Sequence, residues 1–344
     1  MIKEFSSSEM LFPSNSINNI PIVMASSEEY LPYTCVTIAS ILDNGSCNNF
    51  YDIILMRVKK YSADSLHILQ NIVSQHSNCT VRIITFDNIG KLHTSGHVSI
   101  ETYLRIMLPA ILTEFENVIY LDSDLIVCHD VADLLTTANQ TTTLIAAVPD
   151  LDVIGQFYGP EHSMQFYVTS ILKLESVDQY MQAGVLVMHL NKLRQFMKRY
   201  PQYDELLHQR FRYYDQDVLN IICKDRIQTL DYRWNVVTDC LNKRIDKIIS
   251  HTPLAIQQEY NRSRNSPWII HFSGIEKPWK NPDMDMAEYF WRVVDNHGMR
   301  DMIPIAQIPV INLPKRLLNK CFPIQSCRRE WIKTIYFRII YKNN

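Results

Sequence analysis

No uninterrupted apolar stretch in the 344 residues approaches the roughly 18 to 20 that a bilayer-spanning helix needs, which excludes an obvious transmembrane anchor. The start of the chain lacks the combination of basic segment, apolar run and small-residue cleavage site, so the folded part is expected to face the cytosol. Eight cysteines, at positions 35, 47, 79, 128, 223, 240, 321 and 327, show neither short paired spacings nor the density of a secreted disulfide scaffold. Reduced structural thiols are the expectation. The 15 prolines are scattered rather than gathered into a linker, and there is no internal repeat or extended low-complexity segment. No motif that reads single-stranded or duplex nucleic acid is present, and most of the chain is acidic, so no nucleic-acid partner is expected.

What is present is an ordinary globular composition, with 47% hydrophobic and 20% charged residues. One large domain with a smaller appendage is the default at this length. The formal net charge of -2 hides an asymmetry: from Lys315 onward, Lys315, Arg316, Lys320, Arg328, Arg329, Lys333, Arg338 and Lys342 face Glu330 alone. These bases alternate with Trp331, Ile332, Ile335, Tyr336, Phe337, Ile339 and Ile340. Such a segment suits an anionic membrane surface, with aromatics in the interface and long basic side chains reaching headgroups, although a helix covering its own domain has the same pattern.

Residues 1–19, rich in Ser and Asn without a period, read as a flexible arm; 20–282 as the main domain; and 283–344 as a helical, basic and aromatic C-terminal extension. In the main domain, strands are expected at Ile20–Ala25, Asp52–Met56, Val81–Phe86, Thr143–Val148 and Val185–Leu190. Helices are expected at Thr34–Leu42, Ala63–Ser74 and Ser99–Leu108 and after Tyr214, with others at Met284–Val294 and Arg328–Tyr341. The alternation indicates an α/β domain with a mainly parallel sheet.

The most informative run is Asn117 to Asp124 (NVIYLDSD), an apolar strand that ends in two aspartates separated by Ser123. Residues two apart on a strand share a side, so Asp122 and Asp124 can aim carboxylates at one divalent cation. A turn, a calcium site or solvated edge charge would use the same residues. Further on, His271 to Trp279 (HFSGIEKPW) offers an imidazole ligand in His271, a glycine that lets backbone approach phosphate in Gly274, and a mobile cation in Lys277. Taken alone, His271 would read as a satisfied histidine at a core edge. Oxygen ligands with one imidazole suit manganese or magnesium better than a structural zinc centre.

Together with Ile22 to Tyr30 (IVMASSEEY), Ser99 to Arg105 (SIETYLR), Ala183 to Leu186 (AGVL) and Asp215 to Asn220 (DQDVLN), these runs resemble glycosyltransferase family 8 in their order along roughly Pro21 to Lys280. The family comprises retaining nucleotide-sugar enzymes, among them bacterial lipopolysaccharide hexosyltransferases. The resemblance implies a Rossmann-like GT-A fold and transfer of glucose or galactose from a UDP-sugar to a cell-surface glycan or lipid-linked acceptor at the cytoplasmic face of the inner membrane. It implies that Asp122, Asp124 and His271 hold manganese on the diphosphate of UDP-hexose, that Lys277 and Gly274 contact that diphosphate, and that Ala25, Ser27 and Tyr30 lie near uracil and ribose. Arg105, Asp150 and Asp217 would be donor-sugar contacts, Gln216 would sit at the reacting face, and Gln182 would stand where the family often has Asn. The family commonly has an acidic residue in place of Ser27.

From the residues alone, several of these keep a structural reading. Asp150 after Pro149 forms a plausible turn, Arg105 a helix-edge pair and Tyr30 a packing aromatic, while Gln182 and Gln216 suit polar support. Ala25, Ser27 and Gly274 suit close packing. A metal-dependent nucleotide-sugar hydrolase and a noncatalytic nucleotide-sugar or glycan-binding protein would use the same acidic site. Oligomeric state is not legible.

Overall fold

Near-continuous apolar runs form parallel strands when both faces of a sheet are covered, and this chain builds its main sheet that way. The structure is a computed structural model, and it describes residues 2–86, 100–138 and 142–303. The strands in chain order are β1 (Ile2–Ser6), β2 (Asn19–Ala25), β3 (Phe50–Arg57), β4 (Cys79–Thr85), β5 (Asn117–Leu121), β6 (Leu125–Val127), β7 (Ile145–Pro149), β8 (Met181–His189), β9 (Ile227–Thr229), β10 (Val236–Val237) and β11 (Ile269–His271). Eight of them form one sheet in the order β1-β4-β3-β2-β5-β8-β7-β9, with β8 antiparallel to both of its neighbours and every other pairing parallel.

Period-two alternation divides the core between the two faces of this sheet. Ile22, Met24, Ile53, Leu55, Ile119, Leu121, Val185 and Val187 belong to one apolar cluster. Val23, Ile54, Met56, Val118, Tyr120, Leu186 and Met188 belong to the other. Helix Leu31–Asp43, with Pro32 in its first turn, is buried along almost its whole length on the first face. Its Thr37 hydroxyl donates to the carbonyl of Leu125 at 2.8 Å, and the Ser40 hydroxyl accepts from the Val127 amide at 3.0 Å. Two buried hydroxyls thereby clamp the chain immediately after the aspartate pair.

The strand directions decide where the chemistry collects. Because β8 runs against its neighbours, its first residues lie at the edge where β2, β5 and β7 end. Ala25, Asp122, Asp150 and the Gln182 to Gly184 segment therefore share one rim, joined by the Asp122 amide donating to the Gly184 carbonyl at 2.8 Å. A second sheet, β10-β11-β6, sits beyond it, and the antiparallel pairing of β11 with β6 sets His271 opposite Leu125. The imidazole is thus placed one residue from Asp124.

Three sequence expectations differ from the structure. Residues 2–6, read as part of a flexible arm, pair with β4 from Ile2 opposite Val81 to Ser6 opposite Thr85. The strand left no periodic signal because its two apolar residues, Ile2 and Phe5, serve opposite faces of the sheet. Leu190, read as the end of a strand, begins helix Leu190–Arg199. The expected helix from Ser99 is a 3-10 turn, Ile100–Tyr103, followed by helix Leu104–Ile111. Helix Ala287–Asn296 falls on the one expected at 284–294, whereas the expected helix at 328–341 and its basic aromatic segment lie outside the described residues. Among the described residues no helix is long and apolar enough to cross a membrane.

Candidate active site

Asp122, Asp124 and His271 offer ligand atoms that all lie within 4.8 Å of one another. The orientation of the imidazole can be derived from a backbone group. The amide of Gly184 can only donate, and it donates to Gln182 Oε1 at 2.6 Å. The same oxygen takes the Asn235 Nδ2 donor at 2.6 Å, so Asn235 Oδ1 faces His271 Nδ1 at 2.9 Å and accepts its proton. That leaves Nε2 directed at Asp124 Oδ1, 3.3 Å away: as an imidazolium it pairs with the carboxylate, and as the neutral tautomer it turns a lone pair toward it. A metal would take the neutral tautomer, whose Nε2 joins the two carboxylates as a third electron-pair donor, so the residues fit a divalent metal, and Asn235 is the outer partner that orients the histidine.

Cations of the chain flank the carboxylates. Arg105, only 5% exposed, places Nη2 3.2 Å from Asp122 Oδ1 and Nε 2.7 Å from Asp215 Oδ2. Its Nη1 donates to the Ala183 carbonyl, and its guanidinium lies 4.7 Å from the centre of the Tyr120 ring. Lys277 is buried too, and its ammonium donates to Asp124 Oδ2 and to the Phe272 carbonyl. Burial alone would raise the Asp124 carboxyl, but Lys277 and His271 hold it well below the usual carboxylate range.

A second group of carboxyls lies deeper. Asp150 caps helix Leu151–Tyr158 by accepting the Val153 amide at 2.9 Å, and its other oxygen accepts Gln216 Nε2 at 2.8 Å. Gln216 also donates to the Tyr180 hydroxyl at 3.1 Å and accepts the Ala183 amide at 3.0 Å. Asp217, at 0% exposure, accepts from the hydroxyls of Tyr167 and Tyr180 at 2.6 and 2.7 Å and from the Tyr213 amide at 2.7 Å. Burial is the main cause that pushes Asp150 and Asp217 up to about 6 and Asp215 up to about 7.

Ala25 and Gln182 lie on the same rim. The Ala25 carbonyl accepts the Ser123 hydroxyl at 2.8 Å, which ties the ends of β2 and β5 together. Ser27 follows in a half-buried turn. Tyr30 is half-buried, its ring set edge-on to Trp279 at 5.7 Å; burial, then the charges of Asp124 and Asp122, raise its hydroxyl far above its ordinary value. Gln182 spends its oxygen on Gly184 and Asn235, so the amide expected to meet the sugar also supports the histidine. Gly274 has φ +102°, a conformation that glycine adopts without strain.

Asn235 escaped the sequence reading, and Gly184 entered it only as a member of the AGVL run. Asn235 ends the 3-10 turn Tyr232–Asn235 between buried Trp234 and Val236, and a lone amide in so apolar a run was the available signal. Gly184 matters through space: a Cβ there would stand 2.5 Å from His271 Cε1 and 2.9 Å from Asp122 Oδ2.

The pattern of fold and site has counterparts. The sequence model of Glycosyl transferase family 8 matches residues 21–283, about three quarters of the chain. The chain belongs to glycosyl transferase family 8. Its class is accordingly that of a glycosyltransferase. This glycosyltransferase is 30% identical to General stress protein A of Bacillus subtilis over 226 residues, covering 59% of the chain and 70% of that protein. It is 24% identical to the lipopolysaccharide 1,2-glucosyltransferase of Escherichia coli over 285 residues, covering 80% of the chain and 78% of that enzyme. The bifunctional glycosyltransferase WbbM superposes with a TM-score of 0.73 at 25% identity, over 87% of this chain and 53% of its own. The galactosyltransferase LgtC, in complex with donor and acceptor sugar analogues, superposes with a TM-score of 0.63 at 21% identity, over 86% of this chain and 99% of its own, a likeness of fold. The GT-A fold expected from the sequence is the fold observed.

Proposed function

We propose that this glycosyltransferase moves glucose or galactose from its UDP-activated form to a bacterial cell-surface glycan of the lipopolysaccharide type, with retention at the anomeric carbon. The observation that carries the reading is the inward-facing set of Asp122, Asp124 and His271 beside a rim of buried carboxyls. Manganese or magnesium held by these three side chains would supply positive charge against the growing charge of a leaving diphosphate. Lys277 and the Gly274 backbone would hold the diphosphate, Ala25, Ser27 and Tyr30 the uridine, and Arg105, Asp150 and Gln182 the hexose. Asp217 would hold the helix that carries Gln216 rather than touch sugar, since it is fully enclosed and accepts bonds from Tyr167, Tyr180 and the Tyr213 amide.

Gln216 is locked by Asp150, Tyr180 and the Ala183 amide, and a carboxamide is a weak nucleophile. This favours front-face attack by the acceptor hydroxyl, with its proton passing to the departing phosphate. The lipid-linked nature of the acceptor and a peripheral place on the cytoplasmic face of the inner membrane rest on the basic aromatic C-terminal segment. Binding to anionic vesicles that persists after Arg328, Arg329, Lys333 and Arg338 are neutralised would remove the membrane reading.

The test of the reaction is a panel of UDP-sugars with manganese, following UDP release and product mass with lipopolysaccharide and lipid-linked acceptors. One hexose should give a new glycosidic product, chelation should stop it, and added manganese should restore it. Free hexose without transfer to any acceptor would make the protein a hydrolase. UDP binding without turnover would make it a binding protein.

A further inference from the structure

We infer that Arg244 is a positioning residue, which locks the loop carrying Gly274 to the helix capped by Asp150 and so fixes the distance between the diphosphate and sugar halves of the donor site. The inference rests on the donor site proposed above.

Arg244 is 5% exposed and belongs to neither half. Its Nε lies 2.9 and 3.1 Å from the two oxygens of Asp152, in the first turn of helix Leu151–Tyr158. Its Nη2 donates to the Ser273 carbonyl at 2.9 Å, and its Nη1 donates to the Thr238 carbonyl next to β10. One planar cation therefore spans three segments: those of Thr238 and Ser273 are already joined through the β10–β11 pairing, and Arg244 links both of them to the first turn of the helix that Asp150 caps. Lysine, a point charge on a flexible stem, cannot hold a carboxylate and two divergent carbonyls together.

Both neighbours are shaped to admit this bridge. A Cβ on Gly274 would approach Arg244 Nη2 to 3.2 Å, so glycine leaves the guanidinium its place beneath the loop. A Cβ on Gly155 would come within 2.3 Å of the Ile248 carbonyl, so helix 151–158 meets the segment after Arg244 backbone to backbone. The turn that presents Arg244 is itself fixed. Asp239 Oδ1 accepts the amides of Lys243 and Arg244 at 3.0 and 2.7 Å, and the Asp239 amide donates to Asp285, which Arg264 grips through both carboxylate oxygens. The arginine is held at its root as firmly as at its tip.

A merely structural arginine and a positioning one differ in what their loss does to UDP and to UDP-hexose. UDP needs the diphosphate half alone, whereas turnover of UDP-hexose needs both halves in register. In R244K, kcat/KM for UDP-hexose should fall about 100-fold while the Kd for UDP moves by less than about threefold. D152N, a change at a partly exposed side chain, should reproduce the split, and the double variant should be no worse than R244K because both changes cut one link. Equal losses for UDP and UDP-hexose, additive effects in the double variant, or wild-type kinetics with only a lowered Tm would overturn the inference. If the wild-type enzyme turns over no UDP-hexose, the proposed reaction falls first and this reading with it.

Discussion

Gly184→Ala is expected to abolish transfer as thoroughly as the loss of a metal carboxylate, by about 1,000-fold or more in kcat/KM, while the protein stays folded. Gly184 lies within β8 and does not have a left-handed backbone, so alanine costs nothing in conformation and removes some freedom from the unfolded chain. The obstacle is local. The new methyl carbon would stand 2.5 Å from His271 Cε1, 2.9 Å from Asp122 Oδ2 and 2.9 Å from Gln182 Oε1. None of the three can step back at small cost. His271 is held by Asn235, Asp122 by Arg105 and the Tyr120 hydroxyl, and Gln182 by its bond to Asn235. The ligand set must open, and metal affinity should fall with activity. Manganese titration in the presence of UDP, with circular dichroism as the control for folding, checks both. An alanine variant that keeps metal affinity and at least a tenth of the activity would show that the reaction does not use this cluster.

The same geometry explains what could be read from sequence and what could not. Asp122 and Asp124 were legible because their relation is local: a strand ends, and two carboxylates two positions apart emerge together. His271 was legible as a ligand candidate from its own neighbours. Its correct placement depended on β11 pairing with β6 in a register that no local pattern specifies. Asn235, Gly184 and Arg244 act through contacts far away in the chain, so no local pattern revealed what they touch. The resemblance makes Asp217 a sugar contact and gives Asp215 no role, but two residues along a helix is about 200° of rotation, and the two carboxyls face opposite ways. Asp215 meets Arg105 at the rim; Asp217 meets Tyr167 and Tyr180 inside. The insertion of β8 between β5 and β7 was similarly hidden, since its apolar run fits either direction equally well.

Arg105→Met should be the most destabilising single change at the rim, costing about 3–5 kcal/mol, because it removes one charge of a buried network and leaves its partners behind. Asp122 and Asp215 would lose their shared cation, and the Ala183 and Thr102 carbonyls would lose a donor. The loss should depend on pH in a direction that can be worked out. Burial raises Asp215 to about 7 even with Arg105 beside it, against about 3.9 in an unfolded chain. Over that interval the native state binds the extra proton, so this group's contribution to stability falls as pH rises and levels off once the native carboxyl has ionised. Without Arg105 the native carboxyl ionises only at higher pH, so the decline continues beyond 7. The gap between variant and wild type should therefore widen from pH 6 to pH 8.5 in urea unfolding of the metal-free proteins. A gap that stays constant over this range would mean that Arg105 does not govern the charge of Asp215, and that the rim is held by packing alone.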